Sequence, residues 1–281
     1  LKQKWLDALV NHAPIAIKHI ANQLTTPTMN TRQQLKALAQ ARRGVIVPGA
    51  FNALSARVVA DLGFEALYVT GAGVTNMWFG LPDQAFMGLT DIADHTARIR
   101  DAVELPLIVD ADTGFGNALN VVHTVRTLER AGADCIQLED QVAPKRCGHF
   151  SGKEVISTEE ALSKIKAAVD ARTDDSFVIM ARSDALASEG LERMIERCQA
   201  YVEAGADMVF PEAITSLNMY KKVREAVGVP ILANITEFGQ TPLFTRDELA
   251  SANVDIILYC CGAYRAMNAA ALRVYQEIRE Q

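Results

Sequence analysis

Short apolar runs recur along the chain at fairly even intervals, and a stretch of helical periodicity follows each one. The runs cover 45–48, 66–70, 107–111, 135–139, 177–181, 208–211, 231–235 and 256–260. Most are continuous rather than alternating, as strands buried on both faces of a parallel sheet should be. The helical stretches cover 55–62, 89–102, 121–131, 158–171, 191–204, 217–226, 246–252 and 264–278. Leu62-Gly63, Ala131-Gly132, Ala204-Gly205 and Val227-Gly228 each set a residue tolerant of left-handed backbone just past a helix. Thr158, with Glu159 and Glu160 behind it, and Thr245, ahead of Asp247 and Glu248, read as N-caps with acids in the first turn.

Alternating strand and helix units of this number predict a (β/α)8 TIM-type barrel, although a doubly wound open sheet uses the same local elements. The polar residues decide between them. Thr70-Gly71, Asp110 and Asp112, Glu139-Asp140, Arg182-Ser183-Asp184, Glu212, and Asn234 with Thr236 all sit just after strands. A barrel gathers chemistry from the carboxyl ends of several strands, whereas an open sheet concentrates it at one switch point. The barrel is assigned to 29–281. Residues 1–28 stand apart as an N-terminal extension: Trp5, Leu6, Leu9 and Val10 suit an amphipathic helix, which Pro14 and the Thr/Pro stretch 25–28 interrupt.

Composition agrees with one large barrel. The chain has 281 residues, 49% of them hydrophobic and 22% charged; such barrels take about 250 residues. No apolar run approaches the ~20 residues that cross a bilayer, and the first residues carry no export pattern, so a cytoplasmic protein without a membrane partner is expected. The net charge of −6, without a long basic run, speaks against nucleic acid as a partner. Five cysteines without a CxxC pair read as reduced thiols.

Three groups of residues carry chemistry. Asp110 and Asp112, two apart on a strand, project their carboxylates the same way, and Glu139-Asp140 bring more acid beside them. Close like charges need a cation between them or a retained proton. Oxygen ligands open to water suit Mg2+, with Mn2+ as the alternative, and the lack of sulfur or clustered histidine disfavours zinc. The plainer alternative has one aspartate capping the glycine-rich loop 113–117 and the other solvated.

Second, Lys145-Arg146-Cys147-Gly148-His149 surrounds a thiol with cations and an imidazole, which favours the thiolate and suits acid/base work. Lys145 and Arg146 would also draw in a carboxylate, and Gly148 lets the loop bend as a lid. The alternative is an ordinary solvated basic loop. Cys135, Cys198, Cys260 and Cys261 read as core thiols. Third, Arg182 offers a fork for carboxylates, and Thr70, Gly71, Ala72, Gly73, Asn234, Thr236 and Arg265 add donors. Each has a bland reading on its own: Arg182 pairing Asp184, or the glycines making a turn. A small-molecule carboxylate is the ligand these groups suit together.

Lys145–His149, Val109–Asp112, Ala181–Ala185, Phe210–Ala213 and Ala233–Gly239 together resemble the isocitrate lyase/phosphoenolpyruvate mutase superfamily, nearest its 2-methylisocitrate lyases, from Arg43 to Arg273. The Lys-Arg-Cys-Gly-His motif marks the lyase branch. The resemblance implies a Mg2+-dependent carbon–carbon lyase acting on a 2-hydroxy di- or tricarboxylate. It also implies a homo-oligomer, a tetramer or dimer of dimers, whose last helix swaps between neighbours. By similarity Asp110 and Asp112 hold the metal, Glu139 contributes through water, Cys147 is the acid/base, and Tyr68 handles the substrate hydroxyl proton. Thr70, Gly71, Ala72, Asp83, Gly148, Arg182, Glu212, Asn234, Thr236 and Arg265 line the substrate site.

The chain departs from that pattern in Thr70 for serine, in the bulk of Trp78, Phe79, Phe86 and Met87, in Cys260-Cys261-Gly262, and in the family's extra C-terminal helices, which are expected to be missing after Gln281. These departures keep open 2,3-dimethylmalate cleavage, oxaloacetate hydrolysis or decarboxylation, phosphonate chemistry, and a barrel that binds without catalysing.

Overall fold

A computed structural model describes residues 29–148, 150 and 152–280; the proposed extension over 1–28 lies outside them. Helix α1 (Thr31–Gln40) leads into β1 (Val45–Ala50), α2 (Ala53–Asp61) and β2 (Leu67–Val69). A short turn of helix α3 (Gly71–Val74), widened over Thr75–Phe79, precedes α4 (Leu89–Arg100) and β3 (Leu107–Asp110). Then follow α5 (Ala118–Arg130), β4 (Cys135–Glu139), α6 (Thr158–Ala171), β5 (Val178–Ser183), α7 (Leu186–Glu203) and β6 (Met208–Pro211). The chain continues through α8 (Leu217–Val227), β7 (Leu232–Asn234), α9 (Arg246–Ser251), β8 (Ile256–Tyr259) and α10 (Gly262–Arg279).

All eight expected strands form, their ends moved by a residue or two. They pair in parallel in the order β6-β5-β4-β3-β2-β1-β8-β7, and a parallel bridge from Val209 to Ile231 joins β6 to the start of β7. The ring is a (β/α)8 barrel. Gly63, Gly132, Gly205 and Gly228 hold the left-handed conformation expected past their helices. Thr245 caps α9 in a reciprocal box with Glu248, whereas α6 is capped one residue earlier than expected, by Ser157 onto the Glu160 N–H. Within α7, Gly190 (φ 83°, ψ 174°) breaks the helical path, which is why periodicity alone begins that helix at 191.

Helix α1 was not foreseen. Its sequence is mostly polar, and only its buried positions Leu35 and Ala39 carry the signal. They join the cluster inside the ring with Val45, Cys135, Val178, Met208 and Ile256, so α1 plugs the amino-terminal end of the barrel. Above this plug, Val47, Tyr68, Ile108, Met180, Phe210, Leu232 and Leu258 fill the middle together with one polar residue, Gln137. Outward residues such as Val69, Val109, Leu138 and Ile257 pack against the helices.

The amino-terminal end is also fastened by a repeated ion pair. An acid stands just ahead of each even-numbered strand, and each meets an arginine of the preceding unit: Glu65 with Arg43, Asp134 with Arg100, Asp207 with Arg172, and Asp255 with Arg224. Asp134, Asp207 and Asp255 also accept the backbone N–H of Leu107, Ile179 and Ile231, which ties each strand to its neighbour.

Candidate active site

One step further along each strand, the inward positions change from apolar to polar. Side chains two apart on a strand share a face, so the top layer of the ring consists of Thr70, Asp110, Glu139, Arg182, Glu212, Asn234 and Cys260, over the largely apolar middle just described. At Gly49 no side chain fits, because a Cβ would run into the backbone of Cys260. The polar residues that follow the strands therefore converge on one mouth, as the barrel reading requires.

Asp110 and Asp112 meet there by a route different from the expected one. Strand β3 ends at Asp110, and Asp112 lies beyond it in left-handed backbone (φ 45°), a conformation Asp tolerates better than most residues. Its N–H turns back to Asp110 Oδ1 at 3.1 Å, and Asp110 Oδ2 accepts the Gly71 N–H at 3.3 Å. A second left-handed residue, Ala213 (φ 61°), follows Glu212 and gives its N–H to Glu212 Oε1 at 2.8 Å.

Arg182 is the hub of the mouth. Its Nε lies 2.9 Å from Asp184 Oδ2, its Nη2 3.2 Å from Glu212 Oε2, and its Nη1 3.3 Å from Glu139 Oε2. The pairing with Asp184 that sequence offered as a bland alternative does occur, but as part of a wider set. Asn234 gives to Glu212 at 3.4 Å and accepts from the Thr236 hydroxyl at 3.1 Å. Thr70 Oγ1 accepts the Gly73 N–H and stands 3.0 Å from Cys260 Sγ. Cys260, read from sequence as a core thiol, is thus part of the site, because the eighth strand turns it inward.

The acids of the mouth outnumber its cations. Lys145 is buried between Asp83 (2.6 Å) and Asp112 (3.0 Å). Its charge is committed to those two acids rather than held out to an incoming carboxylate. Burial alone would lower its affinity for a proton, but Asp112, Asp83, Glu139 and Asp110 outweigh that and hold the ammonium well above the usual lysine range. Burial pushes Asp112 up to about 6, with Lys145 opposing and Asp110 and Asp83 adding to the rise. Burial also holds Glu139 well above the usual carboxylate range. Neither Glu139 oxygen has a hydrogen bond, and Asp112 Oδ1 has only its ion pair with Lys145. Buried oxygens left in this state cost free energy unless a cation or water meets them.

That is the test of the metal expectation. Among the described residues no three His, Cys, Asp or Glu side chains are arranged around one metal position, which disfavours a site built wholly from protein ligands. The residues do fit a hard cation that takes one or two carboxylates and keeps its waters, since Asp112 and Glu139, beside Asp110, have buried oxygens without a hydrogen bond.

The loop bearing Cys147 lies over this mouth. Gly148 is buried, and a Cβ there would collide with the Arg182 guanidinium and the Glu212 carboxylate. Cys147 is half-buried and not in a disulfide; His149 lies outside the described residues. Ala72 sits in α3, beside the Gly71 N–H. Tyr68 lies one layer beneath the mouth, its hydroxyl giving to Gln137 Oε1 at 2.6 Å. Burial, with Asp110 and Cys260, raises its phenol well above the ordinary value, so it keeps its proton. Arg265 is exposed and stacks its guanidinium 4.1 Å over the Phe238 ring, not on the central cluster. Sequence reasoning missed Lys153, whose ammonium is buried against Asp184 at 2.7 Å; a lysine in a basic loop gives no sign of burial.

An eight-stranded ring with buried acids, an arginine hub and a thiol loop at its carboxyl-terminal mouth defines a (β/α)8-barrel enzyme. Comparison with known proteins makes this specific. A family model described as phosphoenolpyruvate phosphomutase matches residues 35–279. A 2-methylisocitrate lyase of Salmonella typhimurium is 52% identical over 250 residues, 89% of this chain and 85% of that protein. The structure of oxaloacetate acetylhydrolase with 3,3-difluorooxalacetate superposes with a TM-score of 0.86 at 36% identity, covering 90% of this chain and 87% of that one. The structure of 2,3-dimethylmalate lyase does so with a TM-score of 0.86 at 33% identity, covering 91% and 86%. The chain belongs to the isocitrate lyase/phosphoenolpyruvate mutase superfamily, as its motifs suggested, and within it to the carbon–carbon lyases.

Proposed function

We propose that this chain is a Mg2+-dependent lyase that cleaves 2-methylisocitrate, a 2-hydroxy tricarboxylate, to pyruvate and succinate, with Cys147 as the acid/base. The observation that carries the reading is the excess of buried carboxylate at the mouth, where Asp112 Oδ1 and Glu139 Oε2 have ion pairs but no hydrogen bond and Glu139 Oε1 has no hydrogen bond, directly under the docked Cys147 loop. Asp110 and Asp112 would hold the cation, with Glu139 acting through water, and Mn2+ suits the same donors. When bound, such a cation supplies Lewis-acid polarisation of a substrate hydroxyl and its neighbouring carboxylate.

The chain's own residues account for the rest. Arg182 is fixed by Asp184, and a substrate carboxylate would take the place of Glu139 or Glu212 on its guanidinium. The hydroxyl proton passes to Glu139, a buried carboxylate that would meet the cation only through water. As the carbon–carbon bond breaks, its electron pair stays on the carbon next to the leaving carboxylate. Arg182 and the amides near Gly71 and Ala72 spread that charge, and the Cys147 thiol delivers the proton that quenches it.

We infer further that the molecule works as a homo-oligomer. Helix α10 exposes Leu272, Tyr275 and Ile278, an apolar set that a neighbouring copy would cover.

The test is pyruvate release from a panel of 2-hydroxy acids with Mg2+. The reading expects turnover of 2-methylisocitrate well above that of 2,3-dimethylmalate. Cys147→Ser should slow it by about 10²-fold or more while calorimetry still detects Mg2+-dependent oxalate binding. A Cys147→Ser enzyme that keeps more than about a tenth of the rate removes the thiol from the mechanism. Cleavage of 2,3-dimethylmalate, or hydrolysis of oxaloacetate, is the second reading. The structural likeness to enzymes of those names supports it, and the same panel separates the two.

A further inference from the structure

The segment that carries Cys147 is pinned at its base by backbone bonds. Val142 N–H bonds the Glu154 carbonyl, Ile156 N–H bonds the Asp140 carbonyl, and Gln141 bridges Val155. Between these points two buried side chains grip the loop itself, and neither has a place in the proposed chemistry. Gln141 bonds the backbone of Arg146 in both directions, giving its amide proton to the carbonyl at 2.9 Å and accepting the N–H at 3.0 Å. Lys153 gives to the Gly148 carbonyl at 2.5 Å and to Asp184 Oδ1 at 2.7 Å. The gripped residues stand immediately before and immediately after Cys147.

The second grip reaches the arginine hub. Asp184 receives Lys153 and the two-pronged Arg182 together, and its own N–H is held by Asp140 at 2.8 Å. Asp140 is fixed in turn by Ser183 and Tyr201, each at 2.8 Å. One rigid carboxylate therefore sets both the Arg182 guanidinium and, through Lys153, the peptide that follows the thiol. A buried ammonium is tolerated only while its partners remain. Lifting the loop away from the mouth takes the Gly148 carbonyl from Lys153 and the Arg146 backbone from Gln141, so the bonds favour the docked position.

We propose that Gln141 and Lys153 are positioning residues for Cys147, clamping the peptides on its two sides and registering the sulfur against Arg182 through Asp184. This rests on the reading of Cys147 as the acid/base, and two measurements keep the two ideas apart. The first is steady-state kinetics of the full chain with Mg2+ and 2-methylisocitrate. A misplacement on the order of 1 Å costs about 10²-fold. Lys153→Met should therefore lower kcat by about that factor with KM changed less than about threefold, Lys153→Arg should recover part of it, and Gln141→Ala should lose about tenfold. The second is the rate of Cys147 alkylation by iodoacetamide, mapped by peptide mass spectrometry, which needs no turnover. Both clamp variants should label at least about tenfold faster than the unaltered chain, as expected for a released loop.

Wild-type labelling rates in both variants, or a rise in KM with kcat intact, would overturn the clamp. If the unaltered chain turns over none of the 2-hydroxy acids, the lyase reading fails, and the labelling rates still decide the clamp. Should Lys153→Met not fold, Gln141→Ala decides alone.

Discussion

The two ends of this barrel treat charge in opposite ways. At the amino-terminal end each acid ahead of an even-numbered strand has its arginine, and Asp134 is satisfied three times over, by Arg100, Thr31 and the Leu107 N–H. At the carboxyl-terminal end Asp83, Asp110, Asp112, Glu139, Asp184 and Glu212 crowd around Lys145, Lys153 and Arg182. There Asp112 Oδ1 and both Glu139 oxygens lack a hydrogen bond, against Asp255 Oδ1 at the first end, and Asp112 and Ala213 hold left-handed backbone just past their strands, where Arg42 and Asn253 do so ahead of theirs. The first end is built for cohesion. The second stores unfavourable free energy of the kind functional sites keep, and the paired end is what makes that storage tolerable.

The contrast is open to direct attack. The largest effect expected is on stability at the paired end. Asp134→Ala should strand the partly buried Arg100 and the Leu107 N–H, costing about 3–5 kcal/mol in urea unfolding, with kcat per folded molecule unchanged. Loss of activity without loss of stability would reverse the assignment of the two ends. Next is Asp112→Asn, which should cost about 10²-fold in kcat/KM, or about 2.7 kcal/mol.

The same residue predicts a pH signature with two signs. Its pKa rises on folding, from 3.8 to about 6, so the folded state holds that proton more tightly than the unfolded one. Without Mg2+, acidification from about pH 6 to about 4 should therefore add to stability through this group, while protonation of the same group should release Mg2+ and with it activity. A pH–rate profile and urea curves across that window check both signs, and Asp112→Asn should flatten the stability trend. The smallest effect is the most diagnostic. Glu139→Gln removes a buried charge that has no hydrogen bond, and should raise stability by about 1 kcal/mol while lowering kcat. A destabilised Glu139→Gln protein would mean that the Arg182 ion pair outweighs the burial cost.

Much of this was legible in the sequence, for physical reasons that also mark where legibility stopped. Continuous apolar runs announced strands buried on both faces, and glycines past the helices gave the punctuation, so the barrel could be read residue by residue. The acids and Arg182 were legible because a strand's end fixes which way its next side chain points. What failed depended on tertiary context. The two-residue spacing of Asp110 and Asp112 suggested a shared strand face, but a left-handed turn brings them together. Cys260 looked like core because its neighbours are apolar, yet its parity on β8 turns it into the mouth beside Thr70. Lys145 read as a cation that draws in a carboxylate and Lys153 gave no signal, yet folding encloses both among acids. Helix α1 was missed because only Leu35 and Ala39 face the ring.

The closure of the ring has a consequence of its own. Seven of its joints are ladders, and the eighth, between β6 and β7, rests on the Val209–Ile231 bridge. A hoop fastened this way has a preferred seam, and slow breathing of the native state will be concentrated there. Glu212 and Asn234 sit on opposite lips of that seam, joined by their 3.4 Å contact. Amide exchange at Val209 will therefore run ahead of that in β3 and β4, and each opening will briefly part those two side chains while the other strands stay laced.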